Sequence, residues 1–347
     1  MNHFNTSNTH ASNTHASNNR ISNTHANHPA SFAGQPVPLS DDEIYAQLKP
    51  IKTKQIVCGI IGNCSLVFMI AMIFLIFFSL IVKNSTMGGI GILLIILSLI
   101  LGCIFLRMAN KCQKLIRAII ADTITRGVLA ETFELSYFDA AAHISDGLVR
   151  ASRLVDRWSR FKGEDYFAGR YKGRNVCFSD ITLTHTESSG NSTHTVIDFK
   201  GPWMICDFAK NVPAQLRLRE RNPRDKGRKT KSTIETENEL FNKKFQILSQ
   251  NDHTVFYVLT PHFMEYICHA DNIAQGQTLL WFVGNQVHIA LNNGRDTFRI
   301  TGSRQEIKNL DQLRNRFRAD LRYLTAIIDV LCQNDRFVQN NVGYGGM

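Results

Sequence analysis

The chain has 347 residues, with 39 Lys and Arg against 29 Asp and Glu, a formal net charge of +10. That length holds one ordinary domain or two small ones beside a membrane segment. None of the eight cysteines forms a CxxC, and those outside the apolar stretch stand far apart, which excludes a disulfide framework and a zinc ribbon.

Residues 1–40 are low in complexity. The unit Ser7-Asn-Thr-His-Ala11 recurs at Ser12–Ala16 and Ser22–Ala26 and drifts at Ser17–Ile21. Such polar sequence buries too little apolar surface to offset the entropy of ordering, so a disordered tail is expected. Its histidines (His3, His10, His15, His25 and His28) read as the product of repeat expansion, with weak transition-metal binding as the alternative. Ser40 followed by Glu43 fits a capping box, opening a short amphipathic juxtamembrane helix over 41–54 that Pro50 should interrupt.

Residues 55–107 dominate the chain. No charge occurs over 55–82, nor over 84–106. About 20 apolar residues suffice to cross a hydrocarbon core of about 30 Å. The polar break Lys83–Gly89 therefore predicts a two-helix transmembrane hairpin. A signal peptide is excluded, since some fifty polar residues come first. Lys49, Lys52 and Lys54 precede the hairpin, and Arg107, Lys111, Lys114 and Arg117 follow it, against Lys83 alone in the loop. Positive charge gathers on cytoplasmic flanks, so both termini are expected in the cytoplasm.

Residues 108–160 read as a helical connector. Leu115, Ile116, Ile119, Ile120 and Ile124 keep helical spacing, Glu131–Phe138 reads as extended, and a second helical stripe runs from Ile144 to Trp158. From 161 to 301 the period becomes two. Strands are predicted over Asp165–Tyr171, Asn175–His185, Thr195–Phe199, Trp203–Ala209, Phe245–Ser249 and Thr254–Leu259. Lys200-Gly-Pro202 reads as a turn, and Gly284-Asn-Gln286 as the turn of a hairpin joining Thr278–Val283 to Val287–Leu291. A helix should start at Thr260-Pro261. Residues 302–335 form an amphipathic C-terminal helix, expected to close the domain, and 336–347 a loose tail. The fold class is α+β: a transmembrane hairpin, then a cytosolic domain with an antiparallel sheet and covering helices.

Several blocks resemble a bacterial family of unknown function whose members carry two transmembrane helices before a cytosolic domain. They are Arg160-Phe-Lys-Gly-Glu-Asp through Phe178-Ser-Asp180, Phe199-Lys-Gly through Asp207-Phe-Ala-Lys210, Glu239-Leu-Phe-Asn through Ser249, and Tyr257-Val-Leu-Thr-Pro-His-Phe-Met-Glu265. The resemblance spans roughly residues 105–300, with Ala209 where the family commonly has asparagine. It implies the topology and a bacterial origin, and supplies no substrate or catalytic residue.

Two groups carry candidate chemistry. Glu164, Asp165 and Asp180 are weak candidates for a catalytic carboxylate cluster. Arg217, Arg219, Arg221, Arg224, Lys226, Arg228, Lys229 and Lys231 form a basic loop over 217–231, suited to anionic lipid or another anion. No aromatic side chain is interleaved there, which disfavours nucleic acid. His185, His194, Cys177 and Cys206 lack a tight ligand pair, and neither a phosphate-binding loop nor a nucleophile elbow occurs, so no metal or cofactor is expected. The expectation is a multi-pass protein of the bacterial inner membrane. Its cytosolic domain is a non-catalytic interaction or scaffold module for a protein partner, with self-association open to it. The alternative is a membrane-anchored enzyme using the carboxylates.

Overall fold

The computed structural model describes residues 40–82, 85–190, 192–221 and 234–341. The repeat tail over residues 1–39, the basic residues Arg224, Lys226, Arg228, Lys229 and Lys231, and the last residues 342–347 lie outside them. At Ser40 the capping box forms: its backbone N–H donates to Glu43 Oε2 at 2.8 Å, and Glu43 N–H donates back to Ser40 Oγ at 3.3 Å. Helix α1 (Asp41–Val82) then runs 42 residues without a break. Pro50 was expected to interrupt it, and the helix instead passes through. A proline inside a helix costs about 3 kcal/mol. Packing one turn earlier offsets it, because Ile44 and Leu48 are buried in the core of the folded domain and Asp41 pairs with Arg314 at 2.7 Å.

Helix α2 (Ser85–Ile120) packs antiparallel to α1. Ser98 Oγ donates to the Ser65 carbonyl and Ser65 Oγ to the Ser98 carbonyl, each at 2.5 Å, joining the two at mid-height. Beside these serines Gly102 lets the backbones approach, and a Cβ there would already touch Ser65 Oγ at 3.3 Å. The remaining surface is apolar and bare: Phe74 is 71 % exposed and Leu93 67 %. Large contiguous patches of this kind are rare on soluble monomers. Both helices are long and apolar enough to cross a membrane. Below that level Lys52 Nζ donates to the Gly302 carbonyl at 2.7 Å, and Gln113 to the Thr301 carbonyl at 2.6 Å, fastening the hairpin to the domain. A single π-helical turn at Ala121–Thr125 then leads into α3 (Arg126–Thr132).

Among the described residues six strands make one antiparallel sheet: β1 (Glu134–Asp139), β2 (Arg160–Tyr171), β3 (Arg174–Ser189), β4 (Ser192–Glu220), β5 (Phe245–Ser249) and β6 (Gln277–Asn292). They follow the order β1-β2-β3-β4-β5, with β6 also on β4. The predicted turn at Lys200–Pro202 lies inside the 29-residue β4. The predicted hairpin at Gly284–Gln286 is likewise one continuous strand. Both halves of β6 pair with β4 in succession, and Gly284 sits at a register shift opposite Val212 with φ of +57°. Thr254–Leu259, expected as a strand, is the short helix α6 (Asp252–Val258). Asn251 caps it by accepting from His253 N–H, and Val255 and Val258 face the core.

One sheet face and the helices α5 (Glu239–Lys244), α6, α7 (Pro261–Ala274), α8 (Arg304–Lys308) and α9 (Leu310–Asn341) enclose the main core. Phe317, Leu321, Leu324 and Ile328 of α9 close it, as expected of the amphipathic C-terminal helix. The opposite face is covered only in part. Helix α4 (Asp146–Ser152) ends at Arg153, whose φ of 50° turns the chain, so the predicted helix to Trp158 stops short. Leu154, Trp158 and Phe161 nonetheless pack there with Phe199, Trp203 and Trp281.

Candidate functional site

Two groups of polar side chains stand out, one buried and acidic, one open and basic. The acidic group forms where β2 bulges between Glu164 and Phe167. Asp165 occupies that bulge in the left-handed region, φ 58°, and its N–H donates to the Ala140 carbonyl at 3.1 Å. The geometry turns the Asp165 side chain inward, toward Asp180 of β3 and Asp296 of the segment after β6. One carboxylate oxygen of each lies within 4.8 Å of the others. Thr297 donates to Asp180 through its backbone N–H at 2.9 Å and its hydroxyl at 2.8 Å. Asp296 Oδ1 is buried and has no hydrogen-bond partner among the described residues.

Three carboxylates this close in a protein interior do not all ionise freely. Burial, with the charges of Asp296 and Glu164 behind it, pushes Asp165 up to about 8. Burial also holds Asp180 well above the usual carboxylate range, and raises Asp296. At neutral pH the group therefore holds protons or a cation. Oxygens no more than 4.8 Å apart can share one cation at a Ca²⁺–oxygen distance of about 2.4 Å, so Asp165, Asp180 and Asp296 have the ligand chemistry and spacing for a hard cation.

Of the carboxylates that sequence reasoning selected, the structure brings Asp165 and Asp180 together. Glu164, although paired in register with Asp180, turns outward to Lys162 Nζ at 2.8 Å. Asp296 takes the third place. Nothing in its local sequence marked it, because it reaches the group through a loop closed by Gly294, whose N–H donates to the Lys200 carbonyl.

The basic group lines a groove of about 1330 Å³ on the thinly covered sheet face, between the end of α4 and strands β4, β5 and β6. Arg153, Arg157, Arg217, Arg219 and Arg221 line it, together with Asp156, Asp198 and Glu220 and the amides of Gln215, Gln246, Gln250 and Gln277. Arg217 and Arg219, read from sequence as loop residues, lie in β4 on the face opposite buried Leu216 and Leu218. Arg219 grips Asp156 through two hydrogen bonds, at 2.5 and 2.7 Å. Arg217 Nε donates to the Ser152 carbonyl, and its guanidinium lies 5.8 Å over Trp281. Burial and the neighbouring charges of Arg153 and Arg219 hold Arg217 below the usual guanidinium range. Arg221 Nε donates to the Asn242 carbonyl at 3.1 Å.

The histidine and cysteine candidates are engaged elsewhere. His185 is held by Asp198 at 2.7 Å and Glu187 at 2.9 Å, and those carboxylates raise its pKa. Burial pushes the Cys177 thiol up to about 12, so it is inert at neutral pH.

Residues 197–332 match a family described as a protein of unknown function, DUF3137. That stretch contains Arg217, Arg219, Arg221 and Asp296 and leaves out Asp165, Asp180 and the hairpin. No curated protein matches the chain. A solved structure that matches is the crystal structure of the mycobacterial trehalose monomycolate transport factor A, TtfA. It is 11 % identical, the match covers 59 % of this chain and 95 % of that one, and the TM-score is 0.28, too low for fold or role to transfer.

Proposed function

We propose that this is a bacterial inner-membrane protein whose hairpin crosses the bilayer twice, with both termini in the cytoplasm. Its α+β domain is a non-catalytic interaction module for a protein partner. The lysines and arginines flanking the hairpin support the sidedness. A periplasm-dependent reporter spliced at Ser85 is expected to be active, and one placed after Asn110 silent; the reverse pattern overturns the topology. One observation carries the interaction reading: the groove leaves the face over β4, β5 and β6 open, while helices cover the other face. A photo-crosslinking amino acid at Gln215 should give a discrete protein adduct in intact cells. The same group at exposed His253, on α6, should not. Equal adducts at both positions, or none at Gln215, overturn the reading.

Lipid contact narrows in this reading. Arg217 and Arg219 are strand residues with acceptors of their own, so contact with anionic headgroups falls to the cations from Arg224 to Lys231. A second reading, a membrane-anchored enzyme working through carboxylates, is favoured by one observation. Asp165 and Asp180 converge with Asp296 in a single buried group.

A further inference from the structure

We propose that the groove binds a segment of acidic peptide in extended form. The inference rests on the groove being the interaction face and adds the chemistry of the ligand.

Its volume of about 1330 Å³ exceeds the range of about 300–1,000 Å³ usual for small-molecule pockets, which points to a chain rather than a metabolite. The cations in it are unevenly engaged. Arg219 is held by Asp156, whereas the exposed guanidinium groups of Arg153 and Arg157 have no acceptor among the described residues. Arg153 also repels Arg217, and a carboxylate seated between the two would relieve that repulsion. Guanidinium forks match carboxylates in two-point hydrogen bonds. Gln215 Oε1 accepts from Arg217 and Gln277 Nε2 donates to the Glu220 carbonyl, which leaves the Gln215 amide donor and the Gln277 amide acceptor for a peptide backbone.

The same lining argues against other polyanions. No aromatic ring lines the groove to stack a base, which disfavours single-stranded nucleic acid. A flat bilayer surface meets only the rim of a concave site.

The test uses the full-length protein in detergent micelles and two fluorescein-labelled octapeptides, one of Glu and Ser and one of Gln and Ser. The Glu peptide should bind measurably tighter than the Gln peptide and be released by salt. The double variant Arg153→Gln/Arg157→Gln should weaken it about tenfold or more, since two charge-assisted contacts are removed. Both side chains are exposed, so the double variant should melt with the wild type, and matched melting certifies the comparison. Equal binding of the two peptides, or unchanged binding by the double variant, overturns the proposal. So does tighter binding of phosphatidylglycerol vesicles or single-stranded DNA that is lost in the same variant. A crosslinked adduct at Gln215 without Glu-peptide binding leaves the interaction module standing and removes the acidic ligand. Peptide binding without an adduct does the opposite.

Discussion

Asp165→Asn is expected to raise the melting temperature at pH 8 and to leave it nearly unchanged at pH 4. In the folded chain Asp165 holds its proton up to about pH 8, whereas an unfolded aspartate releases it near its ordinary value of 3.8. Below that value both states are protonated and the carboxyl adds no pH dependence. As pH rises from there toward 8 the unfolded state carries fewer protons, so stability falls with rising pH. The ceiling is about 1.4 kcal/mol for each pH unit, or roughly 6 kcal/mol over the interval. Water entry and relaxation lower the realised figure to about 2 kcal/mol, equivalent to some 4–8 °C in a domain of this size. Asparagine keeps the shape, does not ionise, and offers an amide N–H to the neighbouring carboxylates. Melting curves between pH 4 and 9 in micelles measure the effect. A wild type that gains stability over this range, or an asparagine variant destabilised more at pH 8 than at pH 4, would show that the carboxylate is wanted in its charged form. Calcium that stabilises the wild type and not the variant would then move the centre from a proton store to a cation site.

Residue patterns made much of the architecture legible and misassigned particular elements for identifiable reasons. The two charge-free runs and the Ser40–Glu43 box are local signals, and they became helices α1 and α2 and the α1 cap. Period-two alternation marks a strand but does not say which strand it pairs with. Gly284–Gln286 therefore looked like a hairpin turn, although both flanking halves lie along β4. The β-branched and aromatic residues of Thr254–Leu259 favour a strand by propensity. The Asn251 cap and burial of one helical face prevailed over that preference.

The candidate sites divide along the same line. Asp165 and Asp180 were visible because neighbouring strands bring them close. Asp296 was not, because only the loop after β6 delivers it. For the groove, Arg217 and Arg219 were recognised as basic, and the charge run hid their alternation with buried Leu216 and Leu218. Arg153 carried no signal, since its position depends on where α4 stops.

Gly201 links fold and acidic centre, and Gly201→Ala is expected to be among the most destabilising single-methyl changes in the domain. Sequence signals read Lys200-Gly-Pro202 as a turn, whereas it is an interior strand position of β4. Gly201 has φ of +150°, a region that side-chain-bearing residues seldom occupy. An added Cβ would also clash with the Leu291 carbonyl and come within 2.8 Å of Asn293 Oδ1. The first obstacle is backbone in a paired strand, so it does not swing aside. Backbone strain of this kind costs about 1–3 kcal/mol, and the clash should bring the total to roughly 3 kcal/mol or more. The damage should travel. Lys200 N–H donates to Asn292 Oδ1, and the Lys200 carbonyl accepts from Gly294 N–H, so pushing β4 from β6 shifts the segment that brings Thr297 to Asp180. Asp180 then loses donors inside the protein. Gly294→Ala is the matched comparison: φ is +71° and the added methyl meets open space, so only left-handed strain of about 1 kcal/mol is expected. Melting both variants at pH 6 separates the two costs. If Gly201→Ala melts no lower than Gly294→Ala, the close approach of β4 to the end of β6 is not what holds the acidic centre together.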